Sequence, residues 1–359
     1  MKKVKRFKSH AAKSQPRLLS ANKARARAYR EFLGLFDEKL VTVEDLVQFG
    51  CMQMNAADLH DHHFEFSANP LRATAQHLAF HALKIPLEGD STEFLKRTVS
   101  RGQAKRVCGL FEKRIAKRLP AAYITGTARY LGNTFYVNRH VLIPRSAMTF
   151  HLEDYLKGTH WQNYRVLDLC AGSGCIGITL ALLHPDIKVD LVDISEAALR
   201  VARRNIKRFS LGDRVKCVRS DVFQRVRGEF DLIITNPPYV STDEYRDLAQ
   251  EFRHEPKLAL ECGKDGLDIV HQILQTASVH LNPAGKLITE VGATAVDHLK
   301  AAYPKLKLRW QKYKRPDGST RRRSVDCIFW IDSASLSQMK SSRPSATKVA
   351  NRARKNFAR

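Results

Sequence analysis

A chain of 359 residues with 43% hydrophobic and 27% charged residues has the size and composition of a globular protein with room for two domains. Seven cysteines, an odd number at scattered positions, exclude a disulfide framework and point to a reducing compartment, read here as the cytoplasm. No stretch approaches ~20 apolar residues and no apolar signal segment opens the chain, so membrane association is not expected.

Lys and Arg total 61 against 36 Asp and Glu, a formal net charge of +25. The excess is uneven. Residues 1–30 contain no acidic residue, and none follows Asp332. Residues 1–30 read as a disordered basic arm and 333–359 as a basic tail. Such arms are drawn to phosphate backbones through counterion release, which makes RNA a candidate partner. A solubilising tail has the same composition, as does an organelle transit peptide at the N-terminal end.

After the arm, residues 30–46 look helical. Apolar positions recurring at three and four residues make 71–83 a second amphipathic helix. Between them His60, His62 and His63 lie with Asp58 and Asp61, a spacing that fits a solvated loop better than a metal site. Residues 91–119 read as one charged helix with Ser91 or Thr92 as its cap. Residues 123–126, 135–137 and 141–146 then read as short extended segments, with a turn at Gly132-Asn133. The map is a helical substrate-recognition domain over 31–120, a hairpin linker over 121–150 and a further domain over 151–332.

From Tyr164 the pattern changes to alternating strands and helices. Strands are expected at 166–169, 188–193, 215–218, 230–235 and 285–291, with helices from Ile176, at 196–208 and at 266–280. This alternation builds βαβ units in a mostly parallel sheet. Strands at 306–312 and 324–331, joined by a turn at Pro316-Asp317-Gly318, form an antiparallel hairpin at its edge. The fold class is α/β, a seven-stranded Rossmann-like sheet with a terminal antiparallel hairpin behind a small helical domain.

Candidate site residues follow the strands. Asp168-Leu169-Cys170-Ala171-Gly172-Ser173-Gly174-Cys175 is a glycine loop that lacks the third glycine of a dinucleotide fingerprint. Its glycines let a ligand lie against the backbone, and Asp168 can orient loop donors or meet a cationic amino group. Asp193 stands where an acid accepts ribose hydroxyls. Asp221 and Phe223 are placed to accept from and pack against an adenine ring. Asn236-Pro237-Pro238-Tyr239 closes the buried run 230–235, because consecutive prolines end a strand and hold the residues before them extended. An Asn side chain and a fixed carbonyl offer two rigid acceptors for N–H groups. Converging on one sheet edge, these residues fit S-adenosylmethionine, with no metal.

Residues 164–331 resemble a class I S-adenosylmethionine-dependent methyltransferase, and Asn236-Pro237-Pro238-Tyr239 resembles the motif of those that methylate planar amide or amino nitrogens. Leu142-Ile143-Pro144-Arg145-Ser146, Glu255-Pro256-Lys257-Leu258-Ala259-Leu260 and Gly263-Lys264-Asp265-Gly266-Leu267-Asp268 are similar to segments of the protein N5-glutamine methyltransferases. Glu251-Phe252-Arg253-His254-Glu255-Pro256 is most like the branch acting on large-subunit ribosomal protein uL3. The resemblance spans roughly residues 40–331. The pattern expected near the N-terminal helices is missing from residues 50–67, and both basic arms are extra.

The resemblance implies methyl transfer from S-adenosylmethionine to a glutamine side-chain amide. The cofactor would meet Asp168, Ala171, Gly172, Ser173, Gly174, Cys175, Asp193, Asp221, Phe223 and Asn236. Asn236, Pro237 and Tyr239 are the catalytic candidates. Pro238 and Arg145 join them toward substrate, although Arg145 reads equally as an ion-pair partner. Alternative acceptors are a release-factor glutamine and the amino group of a nucleic-acid adenine or guanine, since the same tetrapeptide suits a flipped base.

Overall fold

The computed structural model describes residues 15–37, 40–59, 69–88, 92–146, 162–311 and 327–341, together with 67, 90 and 148. Two compact units divide at Thr125/Gly126. The histidine cluster beyond Asp58, the turn at Pro316-Asp317-Gly318 and the outer parts of both basic arms lie outside the described residues.

The first unit is helical. It comprises α1 (Gln15–Gly34), α2 (Val43–Ala56), α3 (Pro70–Leu83), α4 (Thr92–Leu95), α5 (Arg101–Lys117) and α6 (Ala121–Thr125). Three expectations are corrected here. The helix expected over 30–46 is two helices, because the chain leaves α1 at Gly34 and Thr42 starts α2 with a capping box to Asp45. The helix expected over 91–119 is likewise interrupted, since Ser100 and Gln103 form a second capping box at the start of α5. Of residues 123–126, expected as extended chain, the first three belong to a short helix, Ala121–Thr125, after Pro120. In addition, α1 gives regular structure to half of the stretch expected to be disordered.

Val43, Leu46, Val47, Met54, Leu78 and Phe80 build the helical core with residues of α5. Gly50 is required at one crossing. A Cβ there would lie 2.5 Å from Phe111 Cζ, so a larger residue would push α2 off α5.

The second unit opens with a hairpin, β1 (Thr127–Tyr130) and β2 (Asn133–Tyr136). Its two-residue loop, Leu131-Gly132, has φ of 44° and 78°, as a type I′ turn demands. Residues 141–146 form no strand; the Val141 N–H donates to the Asn138 carbonyl and the Ile143 N–H to the Glu255 side chain instead.

The main body is β3 (Arg165–Leu169), α7 (Cys175–Leu183), β4 (Lys188–Asp193), α8 (Glu196–Arg208), β5 (Val215–Arg219), β6 (Phe230–Thr235), α9 (Thr242–Asp247), α10 (Asp268–Thr276), β7 (Leu281–Val291), α11 (Ala295–Ala302), β8 (Arg309–Gln311), β9 (Cys327–Asp332) and α12 (Ser333–Ser341). The sheet has seven strands in the order β5-β4-β3-β6-β7-β9-β8. Strands β3 to β7 are parallel, and β9 and β8 add antiparallel. This is the expected sheet with its terminal hairpin at the edge. Helix α12 extends order into the stretch read as a basic tail.

Period-two alternation explains the two cores. Val166, Leu232, Ile234 and Ile288 face one side, packed with residues of α7 and α8. Leu167, Leu169, Ile233 and Leu287 face the other, with residues of α10, α11 and α12. Strands covered on both faces need continuous apolar runs, which is what β3, β4 and β6 carry.

Candidate active site

The strand order reverses between β3 and β6, and a crevice opens at such a switch point outside the carboxyl ends of the strands. The register brings the candidate residues together there. Leu169 pairs with Val192 and with Thr235, and Thr235 pairs with Thr289. Cys170, Asp193, Asn236 and Glu290 therefore each stand one residue beyond the same line.

The glycine loop is held from beneath and from the side. Asp168 is buried, and its Oδ2 accepts the Gly177 N–H at 2.9 Å from the first turn of α7. Gly177 has no room for a side chain, because a Cβ would lie 2.6 Å from Leu191 and 2.9 Å from that carboxylate. Asp193 Oδ2 accepts the Gly172 N–H at 2.9 Å and Oδ1 accepts the Ser195 N–H at 2.8 Å. Gly172 has φ +55° with nothing within 4 Å of where its Cβ would be, whereas a Cβ on Gly174 would meet Leu191 at 2.8 Å. Gly172 faces open space, and Gly174 lets the start of α7 pack on β4.

Burial raises the Asp168 carboxyl from its ordinary 3.8 to about 7, opposed by the Gly177 N–H and assisted by the neighbouring Asp193 charge. Burial also raises Asp193, against the N–H groups of Ser195 and Gly172. Cys175 is pushed up to about 12 by burial, so it is a neutral packing thiol. Ala171 and Ser173 are buried parts of the same turn.

Asp221 is half-buried after β5 and accepts from Gln224 Nε2 at 3.2 Å. Phe223 is not brought to this edge. Its ring is 6% exposed and stacks on His280, with centroids 4.8 Å apart. His280 precedes β7, so the ring sits toward the opposite end of the sheet, in the apolar core. The backbone turns at Val222, φ +43°, to take it there.

Asn236 is half-buried, Pro237 buried, and Pro238 and Tyr239 half-buried. Among the described residues neither the Asn236 side-chain amide nor the Pro237 carbonyl has a hydrogen-bond partner. The loop is fixed by backbone packing. A Cβ on Gly266, φ +76°, would lie 2.2 Å from the Tyr239 carbonyl oxygen, and one on Gly292 would lie 3.2 Å from Tyr239 Cδ2. Val240 exchanges backbone bonds with Leu260 and Cys262 at 2.9 and 2.8 Å. The segments 255–260 and 263–268 are thus the frame of the tetrapeptide.

Arg145 is part of that frame. One guanidinium nitrogen donates to both Glu255 oxygens at 2.8 and 2.9 Å, and the cation lies 5.2 Å from the Phe252 ring centroid. Glu255 also accepts the Ile143 N–H at 2.9 Å. The ion-pair reading of Arg145 is the one the contacts support. Next to it Ser146 Oγ donates to Glu290, which is 1% exposed at the end of β7. The sequence reading missed Glu290, whose signal was an acid inside the apolar run 287–291. It also missed Asn205, buried on α8. Asn205 accepts from Tyr136 N–H at 2.7 Å and donates to the carbonyls of Tyr136 and Ser173 at 3.1 and 2.9 Å.

These features fit S-adenosylmethionine. Asp168 Oδ1 is buried without a hydrogen bond, open space lies over Gly172, and Asp193 keeps a lone pair on each oxygen for a ribose hydroxyl. Two desolvated carboxylates at one edge suit a ligand that is cationic at both its sulfonium and its amino group.

Residues 150–266 match the family profile of the methyltransferase small domain. The chain is 37% identical over 286 residues to the ribosomal protein uL3 glutamine methyltransferase of Neisseria meningitidis serogroup B, covering 78% of this chain and 92% of that one. It is 38% identical over 279 residues to the protein of the same name from Bordetella pertussis, covering 76% and 91%, and 38% over 282 residues to that of Xanthomonas campestris pv. campestris, covering 77% and 89%. Identity at this level over most of each chain makes this chain a member of the family of ribosomal protein uL3 glutamine methyltransferases.

Proposed function

We propose that this protein transfers a methyl group from S-adenosylmethionine to the side-chain amide nitrogen of a glutamine in large-subunit ribosomal protein uL3, acting in the cytoplasm. The observation that carries the chemistry is the unpartnered pair of acceptors, Asn236 side chain and Pro237 carbonyl, held rigidly at the switch point. The shared name of the relatives carries the choice of substrate. Their alignment with this chain is longer than the whole of residues 126–359, so it reaches into the helical unit, to which we assign recognition of the substrate protein.

An amide nitrogen is a poor nucleophile because its lone pair is delocalised into the carbonyl. If Asn236 Oδ1 and the Pro237 carbonyl each accept one N–H, the nitrogen is oriented and its developing positive charge is stabilised. The cofactor supplies an electrophilic methyl on a sulfonium. Transfer of that methyl to the oriented nitrogen would leave a neutral thioether, and the alkylated nitrogen would shed a proton to solvent. No side-chain base is needed, because that proton is strongly acidic. Tyr239 would pack against the amide plane, and Asp168, Gly172, Asp193 and Asp221 would hold the cofactor.

Asn236→Ala tests the arrangement. Methyl transfer should fall at least ~100-fold, the scale of one lost transition-state hydrogen-bonding group, while cofactor affinity by calorimetry stays near wild type. Undiminished turnover would remove Asn236 from the chemistry. Among the described residues no helix is long and apolar enough to cross a membrane.

A further inference from the structure

The outer face of α8 carries more positive charge than any role in the cofactor site requires. The helix Glu196–Arg208 has five basic residues, Arg200, Arg203, Arg204, Lys207 and Arg208, and one acid. Its inner face is apolar and buried, built on Ala198, Leu199, Val201, Ala202 and Ile206. The five cations are all exposed. Arg203 is paired with Glu196, and no described ion pair engages Arg200 or Lys207.

A solvated charged face would explain the cations alone. Two further observations separate this face from that. The first is an aromatic ring placed among the cations. The guanidinium of Arg204 lies 3.6 Å from the Tyr136 ring centroid and that of Arg208 lies at 5.4 Å. The ring is mounted on a rigid base, since Tyr136 N–H and C=O are both bonded to the fully buried Asn205. The second is a cavity of about 130 Å³ beside it, lined by Tyr136, His140, Ala197, Arg200, Val201 and Arg204. A Tyr–Arg cation–π pair at the wall of a cation-rimmed cavity has the components that hold a splayed-out base while its phosphates meet cations.

We propose that the α8 face and the Tyr136 cavity form an RNA-binding surface, with one base stacked on the Tyr136–Arg204 pair and the adjoining backbone tracking Arg200, Lys207 and Arg208. A membrane surface is the poorer fit, because exposed apolar residues do not interleave with these cations. The position is informative. Helix α8 follows β4, so its first turn begins at the cofactor edge, three residues after Asp193. RNA bound along α8 would run from the cofactor edge toward the other end of the sheet. If the substrate is a ribosomal protein, as proposed above, this surface would hold the RNA that accompanies it; the surface itself stands on its own residues whichever protein is methylated.

The test uses the full chain with a fluorescein-labelled 20-nucleotide single-stranded RNA of mixed sequence, by fluorescence anisotropy at several KCl concentrations. The variant Arg200→Gln/Arg204→Gln/Lys207→Gln should bind at least ~10-fold more weakly at low salt, with a log Kd against log salt slope shallower by about 0.7 per lost contact. Tyr136→Leu should weaken binding ~5- to 100-fold with the slope unchanged, the signature of lost stacking. Thermal melting within a few degrees of wild type would establish that both variants are folded; if Tyr136→Leu melts early, charge-preserving Arg204→Lys replaces it, and if the triple variant does, Arg200→Gln/Lys207→Gln replaces it with the same expected direction in affinity and slope. RNA affinity and slope equal to wild type in the triple variant overturn the proposal, as does binding to phosphatidylglycerol vesicles without binding to RNA. Methyl transfer to isolated substrate protein should be unchanged in these variants, so a failure of the RNA surface is distinguishable from a failure of the amide chemistry.

Discussion

Asp193 Oδ2 accepts the Gly172 N–H at 2.9 Å while Oδ1 accepts the Ser195 N–H at 2.8 Å. One carboxylate therefore fixes the glycine loop after β3 to the start of α8 and presents its remaining lone pairs to the ligand edge. The bonds that set the loop's shape also fix the direction in which those lone pairs point.

Removing that carboxylate should cost both. Asp193→Ala loses two charge-assisted bonds of ~1.5–3 kcal/mol each, and cofactor affinity measured by calorimetry should fall at least tenfold, with a lower melting temperature. A variant that melts lower and yet binds the cofactor normally would assign Asp193 to loop structure alone.

Asp168 makes cofactor binding depend on pH. Burial raises its carboxyl from 3.8 to about 7, so between those values the folded chain binds more protons than the unfolded one, and stability declines as pH rises through the window. A cationic ligand favours the charged carboxylate and lowers its pKa on binding. Affinity for S-adenosylmethionine should therefore increase as pH rises toward about 7 and level off above it. Asp193, also raised, adds to the slope. Asp168→Asn should flatten it, which calorimetric titration across this range reads directly; an unaltered slope would place the titrating group elsewhere.

Arg145 is predicted to act through structure. Arg145→Ala leaves the Glu255 carboxylate, 3% exposed as a side chain, without its cation, and breaking a buried pair costs ~3–5 kcal/mol. Chemical denaturation should show that loss, while the folded enzyme keeps its KM for the substrate protein. A raised KM with unchanged stability would reinstate Arg145 as a substrate contact.

The centre of the sheet was legible because β3, β4 and β6 are covered on both faces, and continuous apolar runs such as 230–235 have few other uses. The helical unit was less so. The breaks at Thr42 and Ser100 are set by capping boxes that an otherwise unbroken charge pattern conceals, and 121–125 is too short for periodicity to register. Asp168, Asp193 and Asn236 were legible as neighbours on one edge, since each stands at or beside the carboxyl end of a strand. Phe223 was misplaced because the chain reverses at Val222 with positive φ, a conformation that sequence gives little warning of in a β-branched residue. Asn205 was invisible, as the single polar residue on the buried face of α8, whose partners, Tyr136 and Ser173, are distant in sequence. The family segments at 255–260 and 263–268 were recognised as resemblance only; the approach of Gly266 to the Tyr239 carbonyl supplies their physical reason.

The central claim is that the accepting nitrogen belongs to a glutamine amide. It is tested by incubating the full chain with methyl-labelled S-adenosylmethionine and ribosomal material, separating protein from RNA, and mapping the label by tandem mass spectrometry. The account predicts label on one glutamine side chain of uL3, lost in Asn236→Ala; label on adenine or guanine amino groups of the RNA would contradict it.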